Sequence, residues 1–256
     1  MSFQERLDEI LKILTVRKKI TVQELTERLK VSEVTVRKDL TFLEEKGKIV
    51  RVHGGAVLAE DKDLLRDISI RLDEHIQEKT AIADTAAELI HEGDTIYLDA
   101  GSTSYFLSQK IKDLDIRVLT NSLDVIISLS DSTTVSLLST GGSFRKDARS
   151  FIGPAAIEAI ANFQIETCFL GTTGFSKDGY FTAQNILEAQ VKKAVIKASQ
   201  RKVLLTDHYK YGVNAFSIFA RADNIDILIT DSVFPDKDSL YKLGMEIIFA
   251  RQKEEN

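Results

Sequence analysis

Apolar residues recur at three- and four-residue spacing near the start of the chain. Phe3, Leu7, Ile10, Leu11 and Leu14 form one face over about three turns and predict an amphipathic helix. A second helix is expected to start at Thr21, whose hydroxyl can cap free N–H groups while Glu24 reaches back, with Val22, Leu25 and Leu29 facing inward. A third begins at Ser32, buries Val36, Leu40 and Leu43, and meets Gly47 where a left-handed C-cap is expected. Residues 48–57, KIVRVHGGAV, alternate and carry two glycines, as a small two-stranded hairpin does. Three helices followed by such a ribbon predict a winged helix over residues 1–57.

Residues 58–75 are dense in charge, lack strong periodicity and read as a connector. Beyond them helix and strand alternate. Helices are expected at 76–91, 103–112, 122–130, 154–162 and 185–200, and strands at 95–99, 116–120, 135–139, 166–170, 203–206 and 226–230. That alternation predicts an α/β domain over 76–256 with a doubly wound, mostly parallel sheet.

Charge sharpens this division. The 256 residues carry a net −5, but residues 1–57 hold 12 Lys and Arg against 9 Asp and Glu, leaving 22 basic and 30 acidic residues for the remainder. The asymmetry points to different partners for the two parts. No apolar run reaches the ~18 residues of a membrane span. The start, MSFQERLDEILKIL, mixes acids into its apolar positions and has no small-residue cleavage site, so a cytoplasmic protein without membrane contact is expected. Cys168, the sole cysteine, lies in the apolar run IETCFLG and reads as buried filler. His75, His91 and His208 show no metal-ligand spacing, and no metal or cofactor is expected.

With Val36 and Leu40 inward, Thr35, Arg37, Lys38 and Thr41 are left toward solvent on the second helix of a tight helix-turn-helix. Arg and Lys can donate to guanine edges or phosphates, Thr can touch a thymine methyl, and a capped helix start favours phosphate, so double-stranded DNA is the expected partner. At these residues the chain resembles the DeoR-type regulators. Arg6, Ile10 and Leu14 stand at the family's spacing before Ser32, Thr35-Val36-Arg37-Lys38-Asp39-Leu40 and Arg51-Val52-His53-Gly54-Gly55-Ala56. The resemblance covers essentially the whole chain. It implies DNA reading by Thr35, Arg37 and Lys38, an ion pair between Arg6 and Asp39, and repression of sugar-utilisation operons; Ser32, Thr41, Arg51 and His53 complete the expected DNA-contact set.

In the larger part, polar and glycine residues gather where strands are expected to end: Asp99 to Thr103, including Gly101 and Ser102, then Asn121-Ser122, Gly141-Gly142, Gly171, and Asp207 to Lys210. Ligands bind beyond such strand ends in open parallel sheets. Glycines admit a phosphate close to the backbone, and hydroxyls and helix-start N–H groups donate to it. Arg145, Lys192 and Lys210 can offset its charge, and carboxylates can accept from sugar hydroxyls. A phosphorylated sugar effector is therefore expected. Lys192 and Lys193 are about 100° apart on one helix, so one of them is expected to face the site.

The resemblance also makes the larger part similar to ribose-5-phosphate isomerase, which keeps an enzyme open. Isomerisation needs a carboxylate base. Yet Gly171-Thr172-Thr173-Gly174 stands where such isomerases carry an acidic segment, and alignment on Asp207 and Lys210 places Lys192 at the base position, one turn from Glu188. A third reading is a platform for assembly without ligand. Homo-oligomerisation is expected in any regulator reading, because one helix-turn-helix reads few base pairs.

Overall fold

Capping decides where the first helices start. The computed structural model describes residues 3–17, 19–46, 48–52, 55–58 and 68–251. In it α1 spans Phe3–Arg17, a short strand β1 spans Lys19–Thr21, α2 spans Val22–Leu29 and α3 spans Glu33–Glu45. Thr21 accepts the Glu24 N–H while the Glu24 carboxylate accepts the Thr21 N–H, the reciprocal box expected from their spacing. Ser32 caps α3 by accepting the Thr35 N–H at 3.2 Å. Leu7, Ile10, Leu14, Leu25, Val36, Leu40 and Leu43 then close one core.

The ribbon differs from the expected two-stranded hairpin. Strands β2, Ile49–Val52, and β3, Gly55–Leu58, are joined by β1, giving a three-stranded antiparallel sheet in the order β1-β3-β2. Three residues between two helices are too few for alternation to show, which is why β1 is silent in the sequence. Thr21 pairs with Gly55 so closely that a β-carbon on Gly55 would sit 2.1 Å from the Ile20 carbonyl oxygen. Gly47, His53, Gly54 and residues 59–67 lie outside the described residues. The expected connector is not structureless where it is described: Ile68–Asp73 form a short helix, α4, with Ile68 buried.

The chain divides into two compact units, Met1–Glu74 and His75–Asn256. In the second, α5 (Ile76–Ala87), β4 (Thr95–Leu98), α6 (Ser102–Ile111), β5 (Arg117–Thr120), α7 (Leu123–Leu129) and β6 (Ser136–Ser139) follow the expected alternation. A hairpin, β7 (Ser143–Arg145) and β8 (Ser150–Ile152), precedes α8 (Pro154–Ala161) and β9 (Ile165–Gly171). Then come β10 (Gly174–Phe175), β11 (Tyr180–Ala183), α9 (Ile186–Ala198), β12 (Ser199–Leu205), β13 (Ser217–Arg221), β14 (Ile227–Asp231), α10 (Lys237–Tyr241) and β15 (Glu246–Ala250).

Seven strands form one parallel sheet in the order β15-β14-β12-β9-β4-β5-β6. Side chains alternate between its faces. Ile96, Leu98, Phe169, Val203 and Leu205 pack with α5, α6 and α7, whereas Tyr97, Cys168, Leu170 and Leu204 pack with α8, α9 and a β10-β11-β13 ribbon. The doubly wound α/β class expected from the sequence is thus present. Cys168 is fully buried, and burial pushes its thiol up to about 12, so it fills space without reactivity. No helix among the described residues is long and apolar enough to cross a membrane.

The close Ile20–Gly55 approach leads to a prediction. Gly55→Ala should cost about 1–3 kcal/mol through overpacking against backbone. Urea melts of the full chain should show a weakened first unit with the second unchanged; an unaltered melt would refute the β1–β3 register.

Candidate functional site

In the first unit α3 is oriented by a buried ion pair. Arg6 on α1 donates from Nε to Asp39 Oδ2 at 2.7 Å and from Nη2 to Oδ1 at 3.0 Å. Asp39 is 1% exposed, so this bidentate fork, which holds the guanidinium above its ordinary value, ties the inner side of α3 to α1. The ion pair implied by the family resemblance is present. The outer side of α3 then carries Arg37, Lys38 and Thr41 exposed and Thr35 half-buried. Arg37 donates to Glu33 Oε1 at 2.6 Å one turn away, a solvated pair of small energetic weight that a stronger partner can displace. Ser32 and Thr35 share a hydroxyl contact of 2.9 Å at the helix start. Of the wing positions, Arg51 lies on β2, its side chain outside the description, and His53 lies outside the described residues.

In the second unit the strand order reverses between β4 and β9. The connection after β4 runs through α6 on one face, and that after β9 through α9 on the other. Such a switch point is where an open α/β sheet leaves a crevice at its carboxyl ends. Asp99, just after β4, is placed there by its own N–H, which donates to the Phe169 carbonyl at 3.1 Å.

The Asp99 carboxylate accepts the Gly171 N–H at 3.0 Å and a short bond from Lys192, whose Nζ also donates to the Gly171 carbonyl at 3.0 Å. Asp99 and Lys192 are each 1% exposed. Lys193, the next residue, is exposed, as their angular separation on α9 requires. Burial pushes the Asp99 carboxyl above its ordinary value, and the Lys192 ammonium and the Gly171 N–H offset only part of that.

The ion pair continues outward. Lys192 Nζ lies 3.6 Å from Glu188 Oε1, and Glu188 Oε2 accepts from Arg145 at 2.9 Å. Arg145 also donates from Nε to both oxygens of Asp147, at 2.8 and 3.1 Å. Although partial burial opposes it, Arg145 holds the Asp147 carboxyl below the ordinary range. Charges of alternating sign therefore run from the switch point to the β7–β8 hairpin: Asp99, Lys192, Glu188, Arg145, Asp147. The sequence points to Asp99, Lys192 and Arg145 as site residues, and to neither Glu188 nor Asp147. The i,i+4 spacing of Glu188 and Lys192 was the available signal.

Helix starts around this edge differ. α7 is capped by Ser122, which accepts from Val125 at 3.3 Å, and α9 by Asn185, which accepts from Leu187 at 2.8 Å. Gly101, before α6, supplies no capping side chain. The first turn of α6, with Ser102 buried and Thr103 half-buried, thus presents N–H groups at the switch point without a side-chain cap. Asn121 is engaged elsewhere: Oδ1 accepts from Tyr97 at 2.8 Å and Nδ2 donates to the Phe151 carbonyl at 3.1 Å. Gly141 and Gly142 end β6, two strands from β4, with φ of 59° and 115°, and turn the chain into the hairpin. On the other side of β9, Asp207 follows β12, 3% exposed, with Oδ1 lacking a hydrogen-bond partner among the described residues. Lys210, half-buried, closes the turn His208–Lys210. The structure bonds Asp99, Gly171 and Lys192 directly, joins Arg145 through Glu188, and aligns the others along the same edge.

The Asp99–Lys192 pair leads to a second prediction. Lys192→Met leaves a buried carboxyl without its cation and should cost about 3–5 kcal/mol at neutral pH. Without the ammonium the Asp99 carboxyl rises further. A carboxyl raised in the folded state takes up a proton on folding, so the deficit is smallest at acid pH and grows as pH rises through the Asp99 titration. Urea melts of wild type and variant between about pH 5 and 8 check this; a pH-independent deficit would point to packing instead.

Comparison with known proteins agrees with both units. The DeoR-like helix-turn-helix domain matches residues 6–62 and the DeoR C terminal sensor domain matches residues 74–232. The HTH-type transcriptional regulator GolR of Listeria innocua is 37% identical over 239 residues, 93% of each chain. The lactose phosphotransferase system repressor of Streptococcus mutans is 36% identical over 249 residues, 95% of this chain and 97% of its own. Among solved structures, ribose 5 phosphate isomerase A from Neisseria gonorrhoeae is 17% identical over 52% of each chain, with a TM-score of 0.38. The chain belongs to the DeoR family of helix-turn-helix transcriptional regulators, which bind DNA and are not enzymes.

Proposed function

We propose that this regulator represses a sugar-utilisation operon and that a phosphorylated sugar, bound at the carboxyl ends of β4, β5, β6, β9 and β12, modulates its hold on the operator. The observation that carries the reading is the uncapped start of α6 at the switch point, beside a buried carboxylate. A phosphate placed there accepts from the N–H groups of the first turn and from the Ser102 and Thr103 hydroxyls, and gains from the helix dipole. Asp99 and Asp207 are acceptors suited to sugar hydroxyls, and Lys210 adds a cation on the same edge. The name of the Streptococcus mutans relative, a repressor of a lactose phosphotransferase system, supports both the direction and the substrate class.

In this reading the outer face of α3 enters the major groove. Arg37 and Lys38 reach base edges or phosphates, Ser32 and Thr35 sit at the helix start, Thr41 lies one turn on, and Arg51 and His53 follow on the wing. Two copies are needed to read an operator of useful length, so a homo-oligomer belongs to the proposal. Effector and operator communicate only if the sugar phosphate binds the DNA-competent and incompetent arrangements with different affinity.

Fluorescence anisotropy on DNA from upstream of its own operon, at fixed salt and with a panel of sugar phosphates, tests this. Specific binding altered by one sugar phosphate is the expected result. The same compound should raise the melting temperature, since a ligand of the folded state stabilises it. No melting shift with any compound would favour the platform reading. Replacing Arg37 and Lys38 together with Ala should abolish specific binding and keep the melting shift. Singly, a lost base contact relaxes specificity by about 1–3 kcal/mol, whereas a lost phosphate contact lowers the salt slope by about 1.

A further inference from the structure

His75 opens the second unit, and its backbone sits at φ 51°, in the left-handed region that residues with side chains rarely adopt. Its carbonyl accepts the Lys79 N–H at 3.1 Å, which starts α5. Its ring stacks on Tyr209, with centroids 3.7 Å apart and planes inclined by 19°. Tyr209 is the middle residue of the turn His208–Lys210, and its ring also lies 3.9 Å from that of His208. His208 is clamped to Asp231 at the end of β14. Its N–H donates to Oδ1 at 2.7 Å, and its Nδ1 lies 2.7 Å from Oδ2. Asp207 and Lys210 bracket this turn, and the Lys210 N–H donates to the Asp207 carbonyl at 3.2 Å.

We infer that the His208–Lys210 turn is the coupling element of the sensor unit: Tyr209 passes the state of the crevice to His75, where the chain arrives from the winged helix. The inference rests on the sugar-phosphate reading above. The Asp207 carboxylate is buried with one oxygen unpartnered among the described residues, and an unpaired buried acceptor is costly, so a ligand hydroxyl that reaches it acts on the turn itself. The clamp on Asp231 holds the His208 end in place, which directs any adjustment toward Tyr209. Tyr209 is 48% exposed, and its ring is held by two imidazoles more than by core packing, so a small shift of the turn changes the stack at little cost in burial. A backbone in the left-handed region persists only where its surroundings impose it. When the stack loosens, His75 is released toward ordinary geometry, and with it the start of α5.

The test uses the full chain, labelled operator DNA, and glucose 6-phosphate, fructose 1-phosphate and ribose 5-phosphate as probes. The readout is the ratio of operator Kd with and without the probe, which lies between about 5 and 150 in typical allosteric proteins. Tyr209→Ala should bind operator and probe separately much as wild type does, while the ratio falls to about 1. Tyr209→Phe, which keeps the stacking ring, should keep the ratio. Full coupling in Tyr209→Ala, or its equal loss in Tyr209→Phe, overturns the inference. If no probe shifts either the melting or the DNA binding of wild type, the sugar-phosphate reading fails, and hydrogen exchange then judges the link alone. Faster exchange of the Lys79 amide in Tyr209→Ala supports the hold on His75, and unchanged exchange overturns it.

Discussion

The buried contact between Asp99 and Lys192 sets the terms for the larger unit, because two full charges are held out of water at the one place where the sheet reverses its strand order. Such a pair is tolerated only when nearly every donor and lone pair finds a partner. Here the Gly171 N–H and carbonyl supply two of those partners and Glu188 a third charge. The pair thereby locks the end of β9 to the end of β4 and fixes one face of α9 against both. It also decides what the crevice can offer. A lysine that already faces two carboxylates and a carbonyl has little charge left for an anion. In the proposed reading the phosphate therefore falls to the N–H groups of α6, and Lys192 serves as the fixed support behind them.

The smaller unit solves a similar problem with a similar device. A recognition helix must hold its outer face at a defined angle while its inner face packs on short apolar side chains that could slide. The Arg6–Asp39 fork, with Asp39 buried among Val36, Leu40 and Leu43, removes that freedom because a guanidinium and a carboxylate match in only a narrow set of orientations. In both units, then, apolar burial supplies the cohesion and one buried ion pair supplies the register of the helix that carries the functional surface.

What the sequence made legible follows from locality. The capping box at Thr21 and Glu24, the apolar face of α3 and the strand–helix alternation after residue 76 all depend on residues within a few positions of one another, and each appears where the pattern placed it. What escaped depends on distance along the chain. β11 pairs with β13 across more than thirty residues, β1 joins the wing with only three, and the short helix Ile68–Asp73 has too little length for a period to emerge. The site divides along the same line. That glycines and hydroxyls cluster at strand ends was visible. That Ser122 is consumed by capping α7 and Asn121 by Tyr97 and Phe151 was not, because a side chain's partner is set by the tertiary fold.

The charge asymmetry between the two parts now has a structural meaning. The larger unit, residues 75–256, carries 24 acidic and 19 basic residues. A unit of that sign repels DNA and a sugar phosphate alike at long range, although salt screens this beyond about 8 Å. Repulsion from DNA is useful to a regulator, since it confines nucleic-acid contact to the basic winged helix and lowers non-specific adhesion by the larger part. In the proposed reading, repulsion of the anionic sugar phosphate must be overcome locally, and a helix start can do so because its partial positive charge is fixed, close and partly shielded from water. A surface lysine patch would attract both ligands without distinguishing them. In the proposed reading, recognition by backbone N–H groups inside an acidic unit instead suits a small phosphate that can enter the crevice and excludes a polyanion that cannot.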